Sequence, residues 1–265
     1  MEFILVVALF ALGAVCASFM GLVAARLYTG APLVRGRSQC DSCGAALSPF
    51  SLVPILSWLI ARGRCLVCRA RIGAASTVAE LLLGALFTLT YLKLGLSPAL
   101  PFALVALTLL LGLVLYDLAH SILPPALLWL FVAASAVSFY LTSCGLSLPT
   151  AYCLLPTMSI ALLLASLLAL IHLVSGGRAM GLADAPLAFG LSLLVGYPLA
   201  LSGLMFSFWI GAVIGILILA RRHSGTKMNS EVPFAPFLAL GFLLAYFTSW
   251  DAFTLVASLM RSLGV

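Results

Sequence analysis

Charge is what this chain has least of. Asp and Glu together number seven and Lys and Arg thirteen in 265 residues, so only 8% of positions are charged. A soluble globular domain carries about 25%, and so small a polar share excludes an ordinary soluble fold. Basic charge is scarce at the start as well: Glu2 stands where a secretory signal has its basic n-region, so 3–25 is expected to be a retained first span. No internal repeat and no low-complexity tract interrupts the sequence. What is abundant is apolar sequence, at 64% of residues.

A bilayer-spanning helix needs about 20 apolar residues. Runs bounded by Gly, Pro, Ser or charge predict about eight such spans, near 3–25, 75–94, 98–118, 124–142, 153–174, 184–199, 202–220 and 235–258. The fold class expected is therefore an all-α polytopic membrane protein. It divides into a first transmembrane helix (1–25), a polar segment (26–73) and a transmembrane bundle (74–265).

The few cations orient the chain. With the N-terminus outside, the inner segments hold Arg26, Arg35, Arg37, Arg62, Arg64, Arg69, Arg71, Arg178, Arg221, Arg222 and Lys227, and the outer ones Lys93 and Arg261. That asymmetry follows the positive-inside rule. It makes segment 26–73 cytoplasmic and ties the net charge of +6 to insertion and lipid contact rather than to nucleic acid.

Of the seven acids, Glu80, Asp117 and Asp184 fall within or at the edge of apolar spans, where ionisable residues mark function by default. Asp117 closes the third span and Asp184 opens the sixth. Two whole spans separate them, so both reach the cytoplasmic leaflet. Two carboxylates at one depth that share a proton supply a base for water and an acid for a peptide carbonyl. Helix-end polarity favours charge on Asp184 and the proton on Asp117. Blander readings stand beside this one: Asp184 as a helix cap, Asp117 as a boundary residue reaching water, His120 as an interfacial polar group, and Glu80 as an ion-pair partner or support.

The polar segment holds "CDSC" at 40–43 and "CLVC" at 65–68, with 21 residues between the pairs. Two such pairs suit a tetrahedral zinc ion bound by Cys40, Cys43, Cys65 and Cys68. Gly44 fits the sharp turn after the first pair, while Arg69 is less usual after the second. The expected role is structural, because metal binding supplies folding energy to a small module; a redox dithiol pair is the alternative. Cys16, Cys144 and Cys153 lie in or beside apolar spans as packing residues, with a Cys144–Cys153 disulfide left open.

These stretches occur in a fixed order: "ASFMGLVAARL", "RSQCDSCGAAL", "VPILSWLIARGRCLVCRARI", "TVAELLLGALF", "YDLAHSILP", "AMGLAD" and "PFAPFLALG". The ordered set resembles the bacterial type IV prepilin peptidases. The resemblance implies a multi-pass protein of the bacterial inner membrane, and a membrane-embedded aspartyl protease of the GxGD type. Such a protease removes a basic leader from prepilins or pseudopilins at the cytoplasmic face. It then methylates the new N-terminus with S-adenosylmethionine. The resemblance also implies Asp117 and Asp184 as the aspartates and the four cysteines as the metal ligands. It identifies no residues for S-adenosylmethionine.

Three positions depart from the family pattern. Ala183 replaces the second Gly of GxGD, Pro186 stands where Lys is common, and Pro125 stands where Asp is common. A positive φ at position 183 would make Ala cost about 1–2 kcal/mol, and a negative φ would make it harmless. Two other readings remain at this stage: a proton-coupled transporter, and a catalytically weakened assembly protein anchored by its zinc module.

Overall fold

A computed structural model describes residues 2–28, 42–45, 54–71, 73–143, 150–178, 180–221, 233–252 and 254. Among them, all regular structure is helical apart from one isolated antiparallel bridge between Arg64 and Arg71. The helices are α1 (Glu2–Arg26), α2 (Leu56–Ile60), α3 (Ala75–Leu94), α4 (Leu100–His120), α5 (Pro125–Ser143), α6 (Thr150–Ser175), α7 (Asp184–Val195), α8 (Leu199–Arg221) and α9 (Ala235–Thr248). Eight of them fall where the apolar runs predict helices. Six contain a stretch long and apolar enough to cross a membrane: α1, α3, α4, α5, Leu154–Ser175 of α6 and Leu199–Leu217 of α8. The protein is thus an all-helical, multi-pass membrane protein.

The other two that fall on apolar runs, α7 and α9, are shorter than those runs suggested. The sixth run, expected to reach residue 199, stops at Val195, because Gly196 takes φ +80° and Pro198 follows. The last run, expected over 235–258, breaks at Ser249, which adopts a left-handed conformation. There Ser202 Oγ donates to Asp251 Oδ1 at 2.9 Å and accepts from the N–H of Ala252 at 3.0 Å. A polar knot of this kind ends an apolar helix by giving its backbone other partners.

The chain forms two compact units. The first comprises Met1–Gly95 with Leu107–Leu115. Within it α1 packs on α3 with almost no side chain between them. A Cβ built on Gly13 would lie 2.7 Å from the carbonyl oxygen of Leu83 and 2.8 Å from Cα of Gly84. Small residues let membrane helices approach this closely, which replaces the hydrophobic drive that lipid does not provide.

The second unit comprises Leu96–Ala106 with Tyr116–Val265. Its centre is α7, which packs against α5, α6, α8 and α9. Asp184, Ala185, Leu187, Ala188 and Gly190–Leu194 are all buried. Gly190 admits the ring of Phe131, whose Cε1 would lie 2.6 Å from an added Cβ. Twelve residues suffice for α7, because other helices surround it. Large apolar side chains such as Trp129, Leu130, Leu162, Leu163 and Leu170 point outward, as befits a protein whose solvent is lipid.

Candidate functional site: two buried carboxylates and a cysteine cluster

Asp117 lies in the last turn of α4, three residues before its end, and is buried at 6% exposure. The helix stops there because Ser121 turns left-handed, at φ 54°, and returns its N–H to the Asp117 carbonyl at 2.7 Å. The side chain accepts a hydrogen bond from the N–H of Ala235, the first residue of α9, at 3.3 Å. Asp117 therefore sits between the C-terminus of its own helix and the N-terminus of another. The two helix ends act on its charge in opposite directions.

Asp184 is the first residue of α7 and is also 6% exposed. It reaches back rather than forward: Gly181 N–H donates to Asp184 Oδ2 at 3.0 Å, and Asp184 N–H donates to Gly181 O at 3.2 Å. The Gly181–Asp184 turn is thus closed by the carboxylate itself. The two aspartates, 67 positions apart in the chain, lie within electrostatic reach of one another. Two buried carboxylates that repel one another disfavour ionising together.

All three departures from the family pattern fit the local backbone. Ala183 has φ −70° and ψ −15°, the ordinary helical region, so its methyl group costs nothing. Pro186 occupies the first turn of α7, and Pro125 is the first residue of α5. Helix first turns leave their N–H groups without helical partners, so a residue lacking one is tolerated.

Two groups at this site escaped the sequence reading. One is the Ala235 N–H; the sharp helix start at "PFAP" was the available signal. The other is His172, near the end of α6, which lies within electrostatic reach of Asp184. Its Nδ1 is 2.9 Å from the carbonyl oxygen of Met180. A lone His in an apolar run gave no reason to prefer it over His120. His120 is exposed, with its ring 4.5 Å from that of Tyr116, as an interfacial residue would be.

Glu80 belongs to the first unit. Its buried carboxylate accepts the N–H of Ile55 at 2.8 Å. This bond ties the chain entering α2 to the membrane helix α3.

Three of the four predicted metal ligands come together. The Sγ atoms of Cys43, Cys65 and Cys68 all lie within 4.8 Å of one another. A tetrahedral zinc ion with Zn–S bonds of about 2.3 Å holds its sulfurs about 3.8 Å apart, so this soft donor set fits Zn²⁺. Cys40 lies outside the described residues, as do Cys144 and the side chain of Cys153. Around the second pair, Cys65 N–H donates to Ala70 O at 2.9 Å and Arg69 N–H to Cys65 O at 3.0 Å, which folds the pair into a tight knuckle. Gly44 and Arg69, each following a cysteine pair, both take a left-handed backbone, with φ +69° and +59°. Gly44 adopts that conformation freely, whereas at Arg69 it costs strain. Cys16 is half-buried beside Thr108.

Comparison with known proteins gives consistent results. Residues 11–94 match the family model described as the bacterial peptidase A24 N-terminal domain. The chain is 29% identical over 239 residues to a prepilin leader peptidase/N-methyltransferase of Bacillus subtilis, covering 90% of this chain and 92% of the relative. It is 31% identical over 209 residues to one from Aeromonas salmonicida, covering 77% and 68%. A Pseudomonas putida relative of the same description is 30% identical over 234 residues, covering 86% and 76%. No solved structure matches.

Proposed function

The chain belongs to the prepilin leader peptidase/N-methyltransferase family, and from that premise we propose that it is an aspartyl endopeptidase of the bacterial inner membrane. It cleaves the basic leader from prepilins or pseudopilins with Asp117 and Asp184. The observation that carries this reading is the pair itself: two buried carboxylates on α4 and α7, within mutual electrostatic reach.

The pair shares one proton in the resting state. The ionised carboxylate takes a proton from water as the water oxygen attacks the scissile carbonyl carbon. The protonated carboxyl donates to the carbonyl oxygen as it gains charge. As the resulting diol collapses and its C–N bond breaks, one diol hydroxyl returns its proton to the carboxylate that had donated, and the proton taken from water passes to the leaving amine. The pair ends as it began, with one proton between its members.

The positive-inside asymmetry supports a cytoplasmic position for the site and for segment 26–73. Cys40, Cys43, Cys65 and Cys68 hold a structural zinc ion, which stabilises that segment by linking its ends. Methyl transfer to the new N-terminus, with S-adenosylmethionine supplying the methyl group, rests on the description its relatives carry. No residue of this chain is assigned to it.

The test is direct. Purified protein in detergent is incubated with a prepilin carrying a basic leader, with and without S-adenosylmethionine, and the products are weighed by mass spectrometry. The account expects leader release in both conditions and one added methyl group only when S-adenosylmethionine is present. Intact substrate throughout, with folded protein, would contradict it.

A further inference from the structure

His172 and Asp184 hold opposite ends of one peptide group. His172 Nδ1 lies 2.9 Å from the Met180 carbonyl oxygen, and the Gly181 N–H donates to Asp184 Oδ2 at 3.0 Å. The Met180 C=O and the Gly181 N–H are the two poles of a single planar unit. A carbonyl oxygen only accepts, so the proton of the first bond sits on Nδ1. The resulting chain runs from imidazole N–H to carbonyl, through the amide, to carboxylate. Each bond in such a chain polarises the next in the same direction.

The imidazole is itself held in place. Gly177 N–H donates to the His172 carbonyl at 2.9 Å, which closes the end of α6. Gly177 takes φ +78°, and a Cβ there would lie 3.3 Å from His172 Cε1. The turn therefore lies against the ring, and a side chain at position 177 would push it away.

We propose that His172 is a positioning residue for Asp184: by bonding the Met180 carbonyl it fixes the plane of the Met180–Gly181 peptide, and so aims and strengthens the Gly181 N–H that holds the carboxylate. The inference rests on the reading of Asp184 as catalytic. It adds that reactivity at Asp184 depends on a side chain that touches neither substrate nor carboxylate. A histidine that merely satisfied a loop carbonyl would stabilise the turn and leave kcat for cleavage unaffected.

Two readouts test this, one of them independent of activity. Labelling Met carbonyls with ¹³C and Gly nitrogens with ¹⁵N leaves two Met–Gly pairs in this sequence, Met20–Gly21 and Met180–Gly181. The Gly21 peak, identified by its loss in Met20→Leu, serves as the control. His172→Leu removes the donor; His172→Asn places an amide nitrogen as many bonds from Cα as Nδ1. The proposal expects His172→Leu to shift the Gly181 amide proton upfield and leave Gly21 in place. It expects kcat for prepilin cleavage to fall about ten- to a hundredfold with KM little changed. His172→Asn should restore both, and Asp184→Asn should shift the same Gly181 peak.

An unmoved Gly181 peak in folded His172→Leu would overturn the proposal, as would wild-type kcat in that variant. So would His172→Asn behaving like His172→Leu while folded. If His172→Leu does not fold, His172→Asn and Asp184→Asn decide the matter by the same peak. If wild-type protein does not cleave prepilin, the peptidase reading fails, while the Gly181 peak still reports on the hydrogen-bonded chain.

Discussion

The N–H of Ala235 donates to Asp117 Oδ2 at 3.3 Å, joining residues 118 positions apart. The start of α9 thus supplies the buried carboxylate with a partner that α4, ending beside it, does not. The bond separates the structural role of Asp117 from its chemical one, because an amide oxygen accepts from Ala235 as well as a carboxylate oxygen does.

Asp117→Asn should therefore abolish cleavage and leave thermal stability in detergent equal to or above wild type, since it keeps the acceptor and removes repulsion with Asp184. Asp117→Ala leaves the buried Ala235 N–H without its partner, and should be less stable than Asp117→Asn by about 1–3 kcal/mol. Thermal unfolding of the two variants checks this. Equal stability would mean that the Ala235 bond contributes nothing.

Metal analysis of purified protein should find about one zinc per chain. Cys43→Ser, Cys65→Ser and Cys68→Ser should each lose it, and so should Cys40→Ser. Arg69→Gly should retain the metal and stabilise the module by about 1 kcal/mol, by relieving the positive φ at Arg69. Protection of segment 26–73 from proteolysis, with and without chelator, measures both effects.

The helices were legible in the sequence because lipid demands a long apolar run for each span and little else interrupts one. The ends of α7 and α9 were less so. Gly196 and Ser249 sit in apolar surroundings that a hydropathy reading passes over, and their positive φ, with Pro198 after the one and the Ser202–Asp251 bond beside the other, ends the helices. Asp117, Asp184 and the cysteines stood out because charge and CxxC spacing are rare here. Ala235 did not, since its contribution is a backbone N–H that every residue but proline has. His172 did not either, because its partner is a carbonyl eight positions on, a contact set by the turn between them.

Ala183 tests that lesson in the other direction. Its departure from GxGD looks costly on paper, yet its φ of −70° is one that any residue adopts. Ala183→Gly should leave kcat/KM for prepilin cleavage within about twofold of wild type. A large gain would show that the second Gly serves something other than backbone freedom.

Glu80 and Ile55 supply a prediction outside the aspartate pair. Ile55 holds φ +63°, an unfavourable conformation for a β-branched residue, and its N–H is bound by Glu80. Glu80→Gln keeps an acceptor and should preserve the tie. Glu80→Ala should speed hydrogen exchange and proteolysis around 54–60 while zinc remains bound. Unchanged protection in Glu80→Ala would remove the supporting role assigned to Glu80.

The most direct measurement is a double-mutant comparison of prepilin cleavage by wild type, Asp117→Asn, Asp184→Asn and the double variant. If the two carboxylates act as one proton-sharing unit, each single change should reduce kcat to the same residual rate as both together. Should either single variant still cleave at near the wild-type rate, or should the two losses simply multiply, the carboxylates do not act as a unit and the central claim fails.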